Sequence, residues 1–303
     1  MKGFRTDSKD YNLENFDLED YDLINFEENF GIPKEISNKL PAAVVGIIEK
    51  LGRFKFRMKH YPGKSNQPSL VHYDPDNIIF YGQLGKEGKF KEGKGYLLQN
   101  HSLYCGYFAK NFFEGPGQFI FFDGSLSFYK GYWCRGEMQG RGLLVTESGY
   151  SYRGEWLNSL QEGYGEETWP DNSMYKGDFK RGLKNGHGEF LWPGKDRFVG
   201  QFVEGEIDGY GTFDWAEGNK YEGKWKNNLM HGRGKFTWSD GIVYEGEYRN
   251  GKKEGFGTIR LPSKHGWEGI WKNGKKDSVG KFFGPDGSII TSNSEKNELL
   301  KSL

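Results

Sequence analysis

Apolar and polar residues alternate along short stretches of the chain, and these stretches recur every 23 residues. One reads Tyr152-Arg153-Gly154-Glu155-Trp156, in which two rings and a glycine are two residues apart and charged residues lie between them. The stretch returns with its first ring at Tyr175, Phe198, Tyr221, Tyr244 and Trp267. A period of two places the rings on one face of an extended strand and the intervening residues on the other. Each stretch therefore predicts one half-buried antiparallel strand.

A second strand is predicted after each of these stretches. Its apolar residues are again two apart, as in Phe190 and Trp192 or Phe213 and Trp215. A turn-like segment, residues 180–186 in one unit, lies between the two strands. Its last residue, Gly186, is the first glycine of a Gly-x-Gly sequence. One such hairpin cannot cover its own rings, so the recurrence predicts hairpins stacked side by side in an array.

Three less regular units precede these six and begin near Phe80, Tyr104 and Tyr129. The sequence thus predicts nine units over residues 78–288. Their shared phrase, Tyr-x-Gly-x-Trp-x-x-Gly-x-x-x-Gly-x-Gly, resembles the MORN repeat (membrane occupation and recognition nexus) over about two thirds of the chain. The resemblance implies an all-β fold, an elongated single-layer array of stacked hairpins, here with a short N-terminal helix as its cap.

Residues 1–32 differ from the array in composition. They contain nine Asp and Glu against three Lys and Arg, and aromatic residues recur every five positions at Tyr11, Phe16, Tyr21 and Phe26. One interpretation is a flexible, solvated acidic tail. The other is a docking segment that orders on a partner, because its acids supply attraction and its rings supply anchors.

Residues 33–77 are interpreted as a helical cap followed by a linker over 61–77. An amphipathic helix is predicted over 41–51, with Val44, Ile47, Ile48 and Leu51 on one face. We expect it to cover the open first edge of the array, since exposed edges invite aggregation. A helix that binds a partner or a membrane surface is the rival interpretation. Residues 289–303 are predicted to be a C-terminal tail, either frayed or a short helix.

Catalytic chemistry is not indicated by any motif. The six histidines have no second His or Cys at metal-ligand spacing, and His187 and His231 are assigned to turns. Cys105 and Cys134 have no base in register, so they are poor nucleophiles. Gly-x-Gly lies between strands here, whereas a phosphate loop needs a following helix. We therefore predict no catalytic, cofactor-binding or metal site, and a protein that is not an enzyme.

Charge and cysteine content indicate which partners and which cellular compartment to expect. The 42 Lys and Arg balance 42 Asp and Glu, which gives no reason to expect a nucleic acid partner. With only two cysteines, a reducing compartment on the cytoplasmic side is predicted. The C-terminal units are mildly basic, which leaves open weak binding to an acidic partner or a membrane lipid; the lysines concerned are Lys252, Lys253, Lys272, Lys275 and Lys276.

Four tryptophans are further candidates for partner binding. Trp169, Trp192, Trp215 and Trp238 occupy the same place in four successive units, so stacking would align them as a ladder. The ladder fills the core between hairpins in one interpretation. In the other it lines a shallow groove that takes a helix or an extended peptide.

The predicted function is a non-enzymatic structural scaffold that binds and spaces protein partners. Chains with similar repeats and little else are parts of ciliary axonemes, including radial spoke heads, or of the cytoskeleton, and the resemblance implies the same setting here. One alternative is a membrane-apposed tether that binds acidic phospholipids. Another is a non-catalytic subunit of a larger enzyme complex. Pairing of end strands into a homodimer is left open.

Overall fold

The computed structural model describes residues 34–42, 44–46, 69–73, 78–85 and 88–302 of the chain. They fall into two compact units, Met1–Ser159 and Leu160–Leu303. Apart from short helical segments and connecting turns, the described residues of both units lie in antiparallel strands, each paired with its neighbours within the unit. The predicted all-β fold of stacked hairpins is therefore confirmed.

The described residues of the first unit include a short helix and eight strands. Helix α1 spans Lys34–Ser37, and residue 42 and residues 44–46 are also helical. The strands are β1 (Ser69–Tyr73), β2 (Ile78–Leu84), β3 (Lys91–Gln99), β4 (Ser102–Ala109), β5 (Phe112–Phe121), β6 (Ser127–Cys134), β7 (Glu137–Thr146) and β8 (Ser151–Leu157). They pair in sequence order from β1 to β8.

The second unit contains eleven strands and a terminal helix. The strands are β9 (Leu160–Thr168), β10 (Met174–Lys180), β11 (Leu183–Leu191), β12 (Arg197–Val203), β13 (Glu206–Asp214), β14 (Lys220–Lys226), β15 (Leu229–Thr237), β16 (Val243–Arg249), β17 (Lys252–Arg260), β18 (Gly266–Lys272) and β19 (Lys275–Phe283). They pair in order from β9 to β19. Helix α2 spans Asn293–Ser302, which is the helical alternative of the predicted C-terminal tail.

From the hairpin of β4 and β5 onward, the turn inside each hairpin is shorter than predicted. Only Arg181 and Gly182 separate β10 from β11, so the Gly-x-Gly sequence lies within the second strand. A bulge in the second strand accommodates two extra residues, as in residues 231–233 opposite Lys224. The first glycine of the Gly-x-Gly, such as Gly232 with φ of 61°, takes the left-handed conformation that the bulge requires. His187 and His231 consequently lie in strands β11 and β15, and their assignment to turns was wrong.

One face of the sheet carries the rings of the repeat and is here called the ring face. Tyr221 is fully buried over the opposed pair Gly223 and Gly234, where any side chain would collide with its ring. Its ring centroid lies 5.0 Å from that of Trp225 in the same repeat and 5.3 Å from that of Tyr248 in the next. Each ring is thus covered by the neighbouring hairpin, as predicted.

The opposite face, formed by the residues between the rings, is here called the reverse face. In the first unit it is apolar and is covered by the helical residues near 34–46. Ile36 packs in a buried cluster with Leu103 and Cys105, and Val44 packs in another with Ile120 and Leu143. The predicted cap therefore covers a sheet face and not the first edge. The reason is that the alternate positions of these strands are apolar, so they need a second layer.

The edge of the first unit is extended by a strand. Ser69–Tyr73 lie in the stretch that was expected to be a linker, yet they form β1 along β2. This pairing occupies the backbone groups that β2 would otherwise expose. The rest of the predicted helix, residue 43 and residues 47–51, lies outside the described residues.

Candidate functional site

The reverse face of the second unit is polar and has no layer of described residues over it. Its cross-strand neighbours alternate in charge, as in Glu222, Lys235 and Glu245 on β14, β15 and β16. Lys176 pairs with Glu166 at 3.4 Å, and Lys281 with Glu268 at 3.0 Å. Such a charged face is stable in water, so it does not need the cover that the first unit requires.

A groove of about 1030 Å³ runs across this face. Its floor is the backbone of the paired glycines, among them Gly211, Gly223 and Gly234. The paired glycines of successive strands form a column that has no side chains on either face of the sheet. The side chains on the two sides of this glycine column form the walls of the groove. The groove therefore follows directly from the glycine column that accommodates the buried rings on the ring face.

Exposed aromatic residues form one wall of the groove. Tyr210 and Phe256 line it, with 58% and 54% of their surface exposed, and Tyr164 at the same repeat position is 55% exposed. Each is the middle residue of a Gly-x-Gly, and His187 and Arg233 fill that position in the repeats between. We call these five residues the reverse-face stripe. One repeat spans two strands, so neighbouring members are about 10 Å apart.

The backbone at the stripe is fixed by side chains of the adjacent strand. The amide of Tyr210 donates to Oε1 of Gln201 at 2.7 Å, and that of His187 to Oδ2 of Asp178 at 3.0 Å. Nζ of Lys224 lies 5.4 Å from the ring centroid of Tyr210. Exposed rings on a rigid backbone are typical of protein-binding surfaces, because little conformational entropy is lost on binding.

The stripe was missed in the sequence. The tryptophans were predicted as partner-binding residues, and the variable residue inside Gly-x-Gly was interpreted as part of a connection between strands. The available signal was that this residue is aromatic in three of five successive units, at Tyr164, Tyr210 and Phe256. Its exposure only became clear once the Gly-x-Gly sequence was found inside a strand.

The four predicted tryptophans lie on the ring face and do form a ladder. Phenylalanines alternate with them, so that Trp192 lies 5.2 Å from Phe213 and Phe213 lies 4.4 Å from Trp215. Trp169 stacks on Phe190 of the next repeat, with ring centroids 5.5 Å apart, and Trp238 ends the ladder beside Phe236 at 4.6 Å. All four tryptophans are half-buried.

The binding role of these residues stays a prediction. The half-buried ladder fills the margin of the ring-face core and leaves ring edges in contact with solvent. The other four predicted residues, Tyr11, Phe16, Tyr21 and Phe26, lie outside the described residues.

Lys253 closes the C-terminal end of the ladder. Its Nζ lies 4.5, 4.8 and 4.6 Å from the ring centroids of Trp238, Tyr244 and Trp271. Burial, reinforced by the charge of Lys276, lowers the pKa of Lys253 to about 8. Lys184, three repeats earlier, also lies over Trp169, but it has an ion pair with Glu167 at 3.4 Å.

Few of the described residues suggest chemistry beyond binding. Among them, no group of three or more His, Cys, Asp or Glu could hold a metal ion. Burial raises the pKa of the Cys105 thiol to about 12, and Cys134 is exposed and unpaired. No helix in the described part of the chain is long and apolar enough to cross a membrane.

The repeats themselves match a family model. The model for the MORN repeat matches eight segments, which together make up more than half of the chain: 104–126, 129–149, 152–174, 175–197, 198–220, 221–243, 244–265 and 267–289. The chain belongs to the MORN repeat family. Its membership of a particular axonemal subfamily stays a prediction.

The first predicted MORN unit is outside the matched segments but has the same local structure. Strands β2 and β3 form a hairpin in which Gly82 opposes Gly95. Phe80 of β2 is fully buried and packs against Phe108 of the next repeat, with ring centroids 5.2 Å apart. This hairpin therefore repeats the MORN geometry without matching the family's sequence.

Two solved structures resemble this MORN chain. One is a mutant of the TCP10 domain of Danio rerio CPAP, with 12% identity and a TM-score of 0.37, covering 74% of this chain and 97% of that one. The other is the SAS-4 (dCPAP) TCP domain of Drosophila melanogaster in complex with a proline-rich motif of Ana2 (dSTIL), with 9% identity and a TM-score of 0.33, covering 50% and 84%. At these TM-scores neither bears on function. No curated protein matches the sequence.

Proposed function

We propose that this MORN protein is a non-enzymatic scaffold that binds a segment of a partner protein on the reverse face of its second unit. The observation that carries the proposal is the groove of about 1030 Å³ with exposed rings along its wall. Its glycine floor lets a partner backbone approach closely, and the rings of Tyr210 and Phe256 supply large contact area.

The first unit supports this use of the reverse face. There the same face is already occupied by a segment of the chain, with Ile36 and Val44 buried to 0% and 1% exposure. The geometry of the repeat thus accommodates a covering segment. In the second unit the face is polar, which suits a partner that binds and dissociates better than a permanent core layer.

The setting is also part of the proposal. A place in a ciliary axoneme, in a radial spoke or an associated complex, is supported by the resemblance to axonemal MORN proteins. A scaffold of stacked hairpins suits such an assembly, because each repeat adds a fixed increment of surface.

Affinity purification from ciliated cells, with and without axoneme extraction, tests the proposal. We would compare the wild type with Tyr210→Ala/Phe256→Ala in the groove and with Phe112→Ala/Leu157→Ala, which removes similarly exposed apolar side chains from the first unit. The expected result is one set of axonemal partners, retained by the control variant and lost with the groove variant. Equal recovery with all three proteins would refute the groove, and recovery only from the detergent-soluble fraction would refute the axonemal setting.

A further inference from the structure

Charge is unevenly distributed along the second unit. Residues 160–219 contain 6 Lys and Arg against 12 Asp and Glu, whereas residues 220–283 contain 14 against 7. The neutral total therefore conceals an acidic half, which includes β9–β13, and a basic half formed by β14–β19. Fields of this kind attract a partner segment of opposite charge.

Most of the positive charge lies on the reverse face. Strand alternation puts eleven exposed or half-buried cations there, against six carboxylates, on strands β14–β19: Lys220, Lys224, Lys226, Arg233, Lys235, Arg249, Lys252, Arg260, Lys272, Lys275 and Lys281. Ion pairs involve Lys220, Lys272 and Lys281. The others leave a net positive surface, here called the basic reverse face.

The same surface exposes apolar side chains between the cations. Phe256 is 54% exposed and Val279 is 65% exposed, and Ile270 lies beside Phe256 in the sheet. A ligand that fits this surface therefore needs both carboxylates and apolar rings. Charge alone, as on a nucleic acid, would leave the apolar positions uncovered.

The chain itself contains a segment of that composition. From Asp10 to residue 33 there are eight Asp and Glu and no Lys or Arg, and rings recur at Tyr11, Phe16, Tyr21 and Phe26. This segment ends immediately before α1, which packs on the reverse face of the first unit. Residues 160–219 are also acidic, but their six cations make them a poorer complement.

We propose that the acidic segment, residues 10–33, is a ligand of the basic reverse face. Its carboxylates pair with lysines and arginines of β14–β19, and its rings pack on Phe256, Ile270 and Val279. The inference rests on the proposed binding role of the reverse face and adds its regulation. An external partner has to displace the segment, so an acidic and aromatic partner competes best.

Carbodiimide cross-linking of the purified full-length protein tests this inference, because the reagent joins carboxylates only to amines that they contact. Mass spectrometry would locate links from Asp17, Glu19, Asp20 or Asp22. We expect them to concentrate on exposed lysines of the basic half, above all Lys252, Lys272 and Lys275. Links in the monomer or dimer band both support the proposal and identify which copy supplies the segment.

Two variants and a salt series make the result decisive. Reversing Lys252, Lys272 and Lys275 to Glu should reduce links from the acidic segment to the remaining basic-half lysines severalfold. The matched control reverses three exposed lysines elsewhere, Lys110, Lys180 and Lys195, and should keep the wild-type pattern. Raising ionic strength from about 0.01 M to about 1 M shortens the Debye length from about 30 Å to about 3 Å and should suppress the links.

Absence of links from the acidic segment, or links spread equally over control and basic-half lysines, would overturn the inference. This outcome is separable from failure of the proposed function, because no partner is present in the cross-linking sample. Partner capture that depends on Tyr210 and Phe256 without these links would leave the scaffold role and remove the regulation. Links without partner capture would keep the contact between the acidic segment and the basic reverse face and would remove the scaffold role.

Discussion

Single residues of the repeat are constrained in size, because each buried ring fills the space beside a pair of opposed glycines. The ring of Tyr221 occupies the volume that side chains at Gly223 and Gly234 would need. Its hydroxyl donates to the carbonyl of Lys224 at 2.9 Å, and Lys224 lies opposite the bulge of β15, where the register of β14 and β15 shifts. The tyrosine thus covers the glycines and also satisfies the backbone at the bulge.

Gly234→Ala should destabilise the second unit. The new methyl would overlap the Tyr221 ring, whose surroundings are close-packed, at a cost of about 1–3 kcal/mol. Gly194→Ala is the control, because no atom lies within 4 Å of a Cβ at that position. Urea unfolding checks both: an equal midpoint for the two variants would contradict the ring-over-glycine packing.

Tyr221→Phe should destabilise the protein, whereas Tyr248→Phe should not. Removing the Tyr221 hydroxyl loses a hydrogen bond, with a cost of about 1 kcal/mol. The Tyr248 hydroxyl is buried without a hydrogen-bond partner among the described residues, so Tyr248→Phe should be neutral or stabilising. Thermal unfolding of both variants gives the comparison. A loss of stability in Tyr248→Phe would mean that this hydroxyl has a partner in solution.

Lys253→Met should increase stability at neutral pH and remove one source of pH dependence. Folding lowers the pKa of Lys253 from 10.5 to about 8, so between these values the unfolded chain binds more protons. The wild type therefore gains stability as pH rises from about 8 to 10.5. Met230 already fills this place in the preceding repeat.

Urea unfolding at several pH values in that range measures the effect. The advantage of Lys253→Met over the wild type should shrink as the pH rises. The exposed neighbour supplies the control, since Lys252→Met should keep the wild-type slope. A constant difference between Lys253→Met and the wild type would contradict the lowered pKa.

At the scale of elements, the two faces of a strand have different requirements in the two units. Strand β4 is buried on both faces, because Tyr104 lies on the ring face and Leu103 and Cys105 lie under the helical segment. Strand β14 is buried only at Tyr221 and Trp225, and its other side chains are exposed or half-buried. One repeat geometry thus supports a two-layer sheet and an open one.

Val44→Asp should destabilise the first unit selectively. It would bury an unpaired carboxylate against Ile120 and Leu143, which is among the most costly of single substitutions. Ala42→Asp, at an exposed helical position two residues earlier, is the control. Hydrogen exchange should show lost protection in β4–β7 only for Val44→Asp. Equal protection in both variants would mean that the segment does not cover this face.

At the scale of the molecule, stability is expected to be local. Each strand in either unit pairs only with its neighbours in sequence, so stabilising contacts pass from hairpin to hairpin. Such proteins unfold in parts, and the response to a core substitution should fall with distance along the chain.

Phe198→Ala tests this locality. Its fully buried ring packs on Phe202 and on Trp225 of the next repeat, so the loss should be about 3–5 kcal/mol. Hydrogen exchange should rise most in β11–β14 and least in β2–β5. Phe256→Ala, which removes an exposed ring, should change neither. Uniform loss of protection over the whole chain would indicate a single cooperative unit instead.

The sequence by itself determined the strands of the repeats, their pairing and the side of the sheet on which the rings lie, whereas β1 was not predicted. A ring two residues from a glycine, repeated every 23 residues, predicts stacked hairpins. The alternation of apolar and polar residues and the burial of each ring by the next hairpin both depend on residues that are close in sequence. The tryptophan ladder followed from the same period. The short turns and the strand position of His187 did not, because the bulge at Gly-x-Gly depends on backbone conformation.

Only the tertiary structure decided how the reverse face is used. The sequence shows only that Leu103 and Cys105 occupy alternate strand positions, whether or not a second layer covers them. Their cover comes from Ile36 and other residues far away in sequence. The groove and the exposure of Tyr210 and Phe256 likewise depend on which side of a bulged strand faces solvent. Contacts between distant segments carry no period, which is why the repeat pattern predicted the sheet and not the layer above it.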